Sequence, residues 1–304
     1  MNITQAYRIL GAKTIPCMPC GEMSTSILPQ IDLVWKIEIR YAILQWELTI
    51  AEEVCMIWIG TSGWIYPHWR GRFYPSDLPV REHLAYYADH FPTVEINRSF
   101  YRLPTYEQFQ SWRAQTRVHP DFCFAVKASR YITHLKKLQN VEEGLTRLYG
   151  AAAGLGAPPG PFLYQLPPHW RADVPRLKQF LHQLPGNRRA AFEFRDPSWF
   201  QSDTFHILRQ LLDEAGCALV VAVGGSSPTP PDLSSIGPFG YIRFHSGAQG
   251  IGLSDSELSV WARRLAADHA AQREVFVYFN NDAEGYAITN AQRLQQLLQA
   301  AQDV

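Results

Sequence analysis

From residue 56 onward the chain alternates between two rhythms. Short runs in which apolar and polar side chains take turns, at 57–60, 94–97, 122–127, 162–166, 191–195, 218–223, 241–245 and 275–280, read as β-strands. Between them LAYYADHF, YEQFQSWRAQT, VPRLKQFLHQL, FHILRQLLDEAG and LSVWARRLAADHA space their apolar residues as amphipathic helices do, with Pro104, Asp173, Pro185, Gly216 and Ser254 at starts and stops. Steady strand–helix alternation is the signature of βα units, and eight strands is the number that closes a TIM-type (β/α)8 barrel. An α/β barrel of this type is therefore expected over residues 56–304, and the Gly-, Ser- and Pro-rich stretch 222–240 is expected to be a surface loop after the sixth strand. Residues 1–55 break the rhythm: their apolar patch, LVWKIEIRYAILQWEL, fits neither period. They are expected to form an irregular N-terminal extension, a disordered or non-native leader ahead of an initiating Met56.

Along a barrel strand, inward and outward side chains alternate, and chemistry gathers where the strands end. Val94 and Ile96 then face the helices and leave Glu95 and Asn97 inside. The same alternation turns Cys123, Ala125 and Lys127 inward from the third strand, Gln165 from the fourth, Glu193 and Arg195 from the fifth, Arg243 and His245 from the seventh, and Tyr278 and Asn280 from the eighth. Barrel interiors are ordinarily filled by branched apolar residues, so ionisable groups on several strands mark the mouth as the candidate site. Burying an ion without a partner is costly, which obliges Glu95 or Glu193 to pair with Lys127, Arg195 or Arg243.

Three cations against two carboxylates favour a small anionic substrate, a phosphate or a carboxylate. Asn97, Lys127, Gln165, Arg195, Arg243 and Asn280 are the expected substrate-binding residues. Glu95 and Glu193 are the expected general acid or base, and His245 the proton shuttle. The loop HSGAQGIG, after the seventh strand, offers backbone N–H groups to an oxyanion. The aromatic loop after the first strand (Trp64, Tyr66, Trp69, Phe73, Tyr74) either stacks a ring or packs on its neighbours.

Composition narrows the partners. Lys plus Arg and Asp plus Glu both number 28, so no global field steers the chain toward nucleic acid or a membrane, and any basic function is local. No long apolar run or signal-peptide pattern is present, and a cytoplasmic location is expected. The five cysteines make no disulfide framework; Cys17 and Cys20 form a lone C-x-x-C.

The segments IGTSGWIYPHWRGRFYP, VEINRSFYRLP, FAVKASRYITH, LYQLPP, AFEFRDPSW, YIRFHSG and VYFNNDAEGYAITNAQRL occur in this order, and the chain resembles the YecE-like family, domain of unknown function 72, from Met56 to the C-terminus. The resemblance implies a TIM-type barrel and brings no agreed activity. One departure stands out: the family has glycine directly after the histidine of strand seven, where this chain has Ser246 and then Gly247.

An enzyme of the hydrolase kind acting on a phosphorylated or other anionic substrate is the leading expectation. Two alternatives stay open: metal-assisted phosphodiester hydrolysis of nucleic acid, with Glu95, Glu193, His245 and Asp282 as ligands, and a non-catalytic module binding a small anion or a protein. Three cations in the same ring speak against a dense metal cluster, so no metal ligand is assigned, and no cofactor is named. A retaining glycosidase needs carboxyls about 5 to 5.5 Å apart, and Glu95 and Glu193 lie three strands from each other.

Overall fold

The protein is described here by a computed structural model covering residues 57–156, 160–186, 188–230 and 236–302. Residues 1–55, with Cys17 and Cys20, lie outside the described residues. Eight strands run parallel: β1 Ile57–Ser62, β2 Thr93–Ile96, β3 Cys123–Lys127, β4 Phe162–Gln165, β5 Ala190–Glu193, β6 Ala218–Val223, β7 Gly240–Phe244 and β8 Val275–Phe279. They pair in sequence order, and β8 closes on β1 with Ile57 opposite Val275 and Thr61 opposite Phe279. The expected (β/α)8 barrel is thus observed. Boundaries differ by a residue or two, with one consequence: β1 runs two residues further than its alternation indicates and carries Ser62 to the mouth.

The helices among the described residues are α1 His83–Ala88, α2 Arg98–Tyr101, α3 Tyr106–Gln115, α4 Glu142–Ala152, α5 Val174–Leu181, α6 Ser202–Glu214, α7 Asp255–Ala270 and α8 Tyr286–Gln302. Local chemistry fixes several starts. Thr105 and Gln108 form a reciprocal capping box on α3, Ser254 and Glu257 another on α7, and the Asp173 carboxylate caps α5. The longer helices turn apolar stripes to the sheet, as α5 and α8 show. On α5 the stripe is Leu177, Phe180 and Leu181; on α8 it is Ala287, Ile288, Ala291, Leu294 and Leu298.

Two apolar cores result. The larger lies between strands and helices, while a smaller one fills the bore with Trp58, Ala125, Leu163, Tyr241, Phe276 and Tyr278 among others. Filling the lower bore closes it to solvent and confines polar inward groups to the mouth. Gly60 shows how tight the wall is, since a Cβ there would meet the Thr93 carbonyl oxygen at 2.1 Å. Beside it the Tyr87 hydroxyl of α1 takes the Thr61 N–H at 2.9 Å and donates to the Thr93 carbonyl at 3.1 Å, bridging β1 and β2.

The β6–β7 connection carries no α-helix among its described residues and folds back onto β6, where Thr229 Oγ1 accepts the Ala222 N–H at 2.9 Å. The described residues between β6 and β7 are thus loop, as expected, with Thr229 and Ile236 buried against the barrel. No described helix is long and apolar enough to cross a membrane.

Candidate functional site at the barrel mouth

Six strands send one polar side chain each into a layer just below the mouth: Ser62, Glu95, Lys127, Gln165, Glu193 and Arg243. Arg243 sits at its centre, fully buried. Its Nε donates to Glu95 Oε2 at 3.0 Å and its Nη2 to Glu95 Oε1 at 2.8 Å, while Nη1 donates to Glu193 Oε2 at 2.6 Å. Glu95 also accepts from Ser62 Oγ at 2.6 Å and from the Tyr241 hydroxyl at 2.7 Å, and Glu193 Oε1 accepts from Gln165 Nε2 at 2.8 Å. Two carboxylates from strands three apart therefore meet on one guanidinium. A planar fork of donors can make this bridge; a lysine ammonium cannot hold the same plane.

Burial by itself would raise both carboxyl pKa values, but Arg243 outweighs it and holds them below the ordinary range. Lys127 and the Ser62 and Tyr241 hydroxyls assist at Glu95; His245 and Gln165 assist at Glu193. Burial also works against the Arg243 charge, and Glu95 and Glu193 more than restore it. The three groups are charged together, as a buried ion triad must be to avoid stranding one of them.

Asn97, Arg195, His245 and Asn280 lie one step past the strand ends and form a second tier. Asn97 Nδ2 donates to Asn280 Oδ1 at 3.4 Å, and Asn280 Nδ2 donates to His245 Nδ1 at 3.2 Å. That bond assigns the neutral ring's proton to Nε2, which stands 3.3 Å from Glu193 Oε1. A polar chain thus runs from β2 through β8 and β7 to β5. The Asn97 Oδ1 atom is buried without a hydrogen-bond partner. Arg195 is half-buried and donates to Ser226 Oγ at 3.1 Å.

Lys127 differs from every other charge in the layer. It is 9% exposed, and its Nζ lies 4.4 Å from the centre of the Phe100 ring. Among the described residues it has no carboxylate at ion-pair distance, because Glu95 and Glu193 are taken by Arg243. Burial, then repulsion from Arg243, lowers its pKa to about 8 against the pull of Glu95 and Glu193.

Four further residues belong to the site; of these the sequence names only Tyr66, as a member of the aromatic loop. Ser62 and Tyr241 bond Glu95, and both follow from the alternation that locates Gly60 and Arg243. Tyr66 donates its hydroxyl to the Ser62 carbonyl at 2.5 Å. His134 sits in a wide turn after β3, Tyr131–Leu135, where neither period applies. Burial, then the charges of Lys127 and Arg195, lowers its pKa to about 4, so it is a neutral imidazole at neutral pH.

Of the two readings of the aromatic loop, packing on its neighbours is the one observed. Trp69, Phe73 and Tyr74 are buried and pack on one another and on Tyr87, and Trp64 is buried edge-on to Trp112, so these four rings build the wall and do not line an open stacking face. Trp69 Nε1 donates to Asp282 Oδ1 at 2.7 Å and His68 Nε2 lies 3.0 Å from Asp282 Oδ2, which latches the β1 loop to the β8 loop. Asp282 is thereby drawn away from Glu95, Glu193 and His245, and no group of three His, Cys, Asp or Glu side chains converges as a metal-ligand set among the described residues. In HSGAQGIG the Ala248 N–H is held by Glu257 Oε1 at 2.8 Å, and Gly252 makes room for the Tyr286 ring. Ser246, the departure from the family pattern, accepts the Gly225 N–H on its Oγ at 2.9 Å and ties the β6 and β7 loops.

Residues 58–304 match the family model described as protein of unknown function DUF72. The chain is 33% identical over 146 residues to the UPF0759 protein YecE of Escherichia coli strain K12, a match covering 48% of this chain and only 50% of that relative. It is 27% identical over 275 residues to the UPF0759 protein YunF of Bacillus subtilis strain 168, covering 80% of this chain and 95% of that one. Among solved structures, a DUF72 family protein of Thermotoga maritima MSB8 has 26% identity and a TM-score of 0.66 over 80% of this chain and 99% of that chain. One from Enterococcus faecalis V583 has a TM-score of 0.68 at 22% identity over 80% and 96%, a likeness of fold alone. With a closed eight-stranded barrel, strand-end motifs from Gly60 to Asn280 and a family match over nearly all of the barrel, this chain belongs to the YecE-like DUF72 family.

Proposed function

We propose that this protein is an enzyme acting on a small phosphorylated or otherwise anionic substrate at the C-terminal mouth of the barrel. The observation that carries this reading is the unequal pairing of the mouth charges: Arg243 bridges Glu95 and Glu193, while Lys127 and Arg195 have no carboxylate at ion-pair distance among the described residues. Three cations against two carboxylates leave a net positive charge beside the buried network, a place for an anion to supply the balance. Arg195, more exposed than Lys127, takes the anionic group, and the vacant Asn97 Oδ1 accepts from a substrate hydroxyl or N–H.

Within this reading, His245 is the residue that moves protons. Its Nε2 lies 3.3 Å from Glu193 Oε1 and its Nδ1 is held by Asn280, which together fix the ring's orientation. Glu95 has both oxygens engaged and no exposure, so we assign it, with Arg243 and Gln165, to positioning and not to contact with substrate. Titration with inorganic phosphate by calorimetry tests the anion site. Arg195→Ala is expected to weaken phosphate binding about ten- to a hundredfold, the loss of one charged hydrogen bond worth about 1.5–3 kcal/mol. Equal affinity in the variant and the parent, together with no turnover on a panel of phosphoesters and carboxylates, would overturn the reading.

A further inference from the structure

Lys127 is placed in a way that anion binding alone does not require. An anion-holding lysine gains from being extended and mobile, whereas this one is held at the end of β3 with its backbone carbonyl fixed by Ser99 Oγ at 2.6 Å. Its Nζ rests on the Phe100 ring, and the neighbouring carboxylates are withdrawn into the Arg243 bridge. Arg195 and Arg243 are cations close enough to disfavour an ammonium there. A buried amine near cations, with no carboxylate at ion-pair distance among the described residues, is the arrangement that leaves a lysine free to act as a nucleophile.

We infer that Lys127 reacts with the carbonyl carbon of an anionic aldehyde or ketone to form a Schiff base, with Arg195 holding the substrate's anionic group. The inference rests on the anionic-substrate reading and narrows it to carbonyl compounds. In the step, the lone pair of neutral Nζ forms the N–C bond as the C=O π bond breaks, and a proton passes from nitrogen to oxygen to give a carbinolamine. Loss of the hydroxyl group with the second N–H proton, as water, leaves the C=N bond. No electron donor or acceptor is needed. The lowered pKa of the amine supports the assignment: at neutral pH roughly a tenth of Lys127 is unprotonated, compared with well under a thousandth of an ordinary lysine.

Glyoxylate and acetaldehyde make a pair of two-carbon aldehyde probes, one anionic and one neutral. The full chain is incubated with each in the presence of sodium cyanoborohydride, which reduces the imine to a stable secondary amine, and alkylated sites are mapped by peptide mass spectrometry. Glyoxylate is expected to alkylate Lys127 on the order of tenfold faster than the exposed Lys136, Lys137 and Lys178, after allowing for the weaker nucleophilicity of a less basic amine. Labelling that follows exposure and spares Lys127 overturns the Schiff-base inference, and if inorganic phosphate still binds, the anion reading survives it. Lys127 labelled equally fast by acetaldehyde and glyoxylate, with no phosphate binding, keeps the nucleophile and overturns the anion reading. Because the mapping uses the unaltered protein, no outcome depends on a variant folding.

Discussion

At the scale of single residues, Arg243 and Lys127 sit on β7 and β3, across the barrel from each other, with opposite consequences for stability. Arg243→Met would leave Glu95 and Glu193 buried, facing each other without a cation, and is expected to lower unfolding free energy by about 3–5 kcal/mol in urea titrations. The parent's acid behaviour has a defined sign. Both carboxyls are depressed in the fold, so their contribution is present above the ordinary value of 4.5 and is lost as pH falls through the lower folded values. Lys127 works the other way. Its amine falls from 10.5 to about 8 on folding, so protonation at neutral pH opposes the native state, and that cost is relieved as pH rises from about 8 toward 10.5. Lys127→Met is therefore expected to stabilise the protein by about 1–3 kcal/mol at pH 7, an advantage that shrinks above pH 8. A destabilised parent at neutral pH with no gain in the variant would contradict this account of the site.

At the scale of elements, period-two alternation was enough to place Glu95, Lys127, Gln165, Glu193 and Arg243 on the inside, because inward direction is a property of the strand alone. Which of them would pair was not legible. Partner choice depends on the barrel's stagger, which brings Arg243 of β7 level with Glu95 of β2 and Glu193 of β5. His134 was hidden for another reason, since the wide turn carrying it follows neither helical nor strand spacing. Helix ends were more readable. Ser254 caps α7 with Glu257, whose second oxygen also holds the Ala248 N–H of the loop after β7. Ser254→Ala is expected to cost about 1 kcal/mol, with hydrogen exchange accelerated at the first turn of α7.

At the scale of the whole molecule, closure joins the first described strand to the last. The helix α8 lies across β1 and β8 and packs on α7, so it covers the seam where the chain of strands meets itself. Leu294, fully buried on the sheet-facing stripe of α8, anchors that cover. Leu294→Ala is expected to cost about 2–5 kcal/mol. In a closed barrel that loss should appear as one transition moved to lower temperature, with far-ultraviolet circular dichroism and tryptophan fluorescence changing together, because the seam offers no separate unit to melt first.

The bridge from Glu95 through Arg243 to Glu193 also constrains how this barrel can change over generations. Arg243 replaced alone would strand two buried carboxylates, whereas either glutamate replaced alone leaves an Arg243–carboxylate pair with part of the guanidinium unsatisfied, so the arginine is the position least able to change first. Replaced together by apolar residues of matching volume, they would leave no stranded ion, and the combined change would cost far less than its parts added up. The order of change is therefore constrained, and a lineage or a designer wishing to repurpose this mouth must exchange Arg243 together with its glutamates or build around the bridge at Lys127, Arg195 and the outer loops.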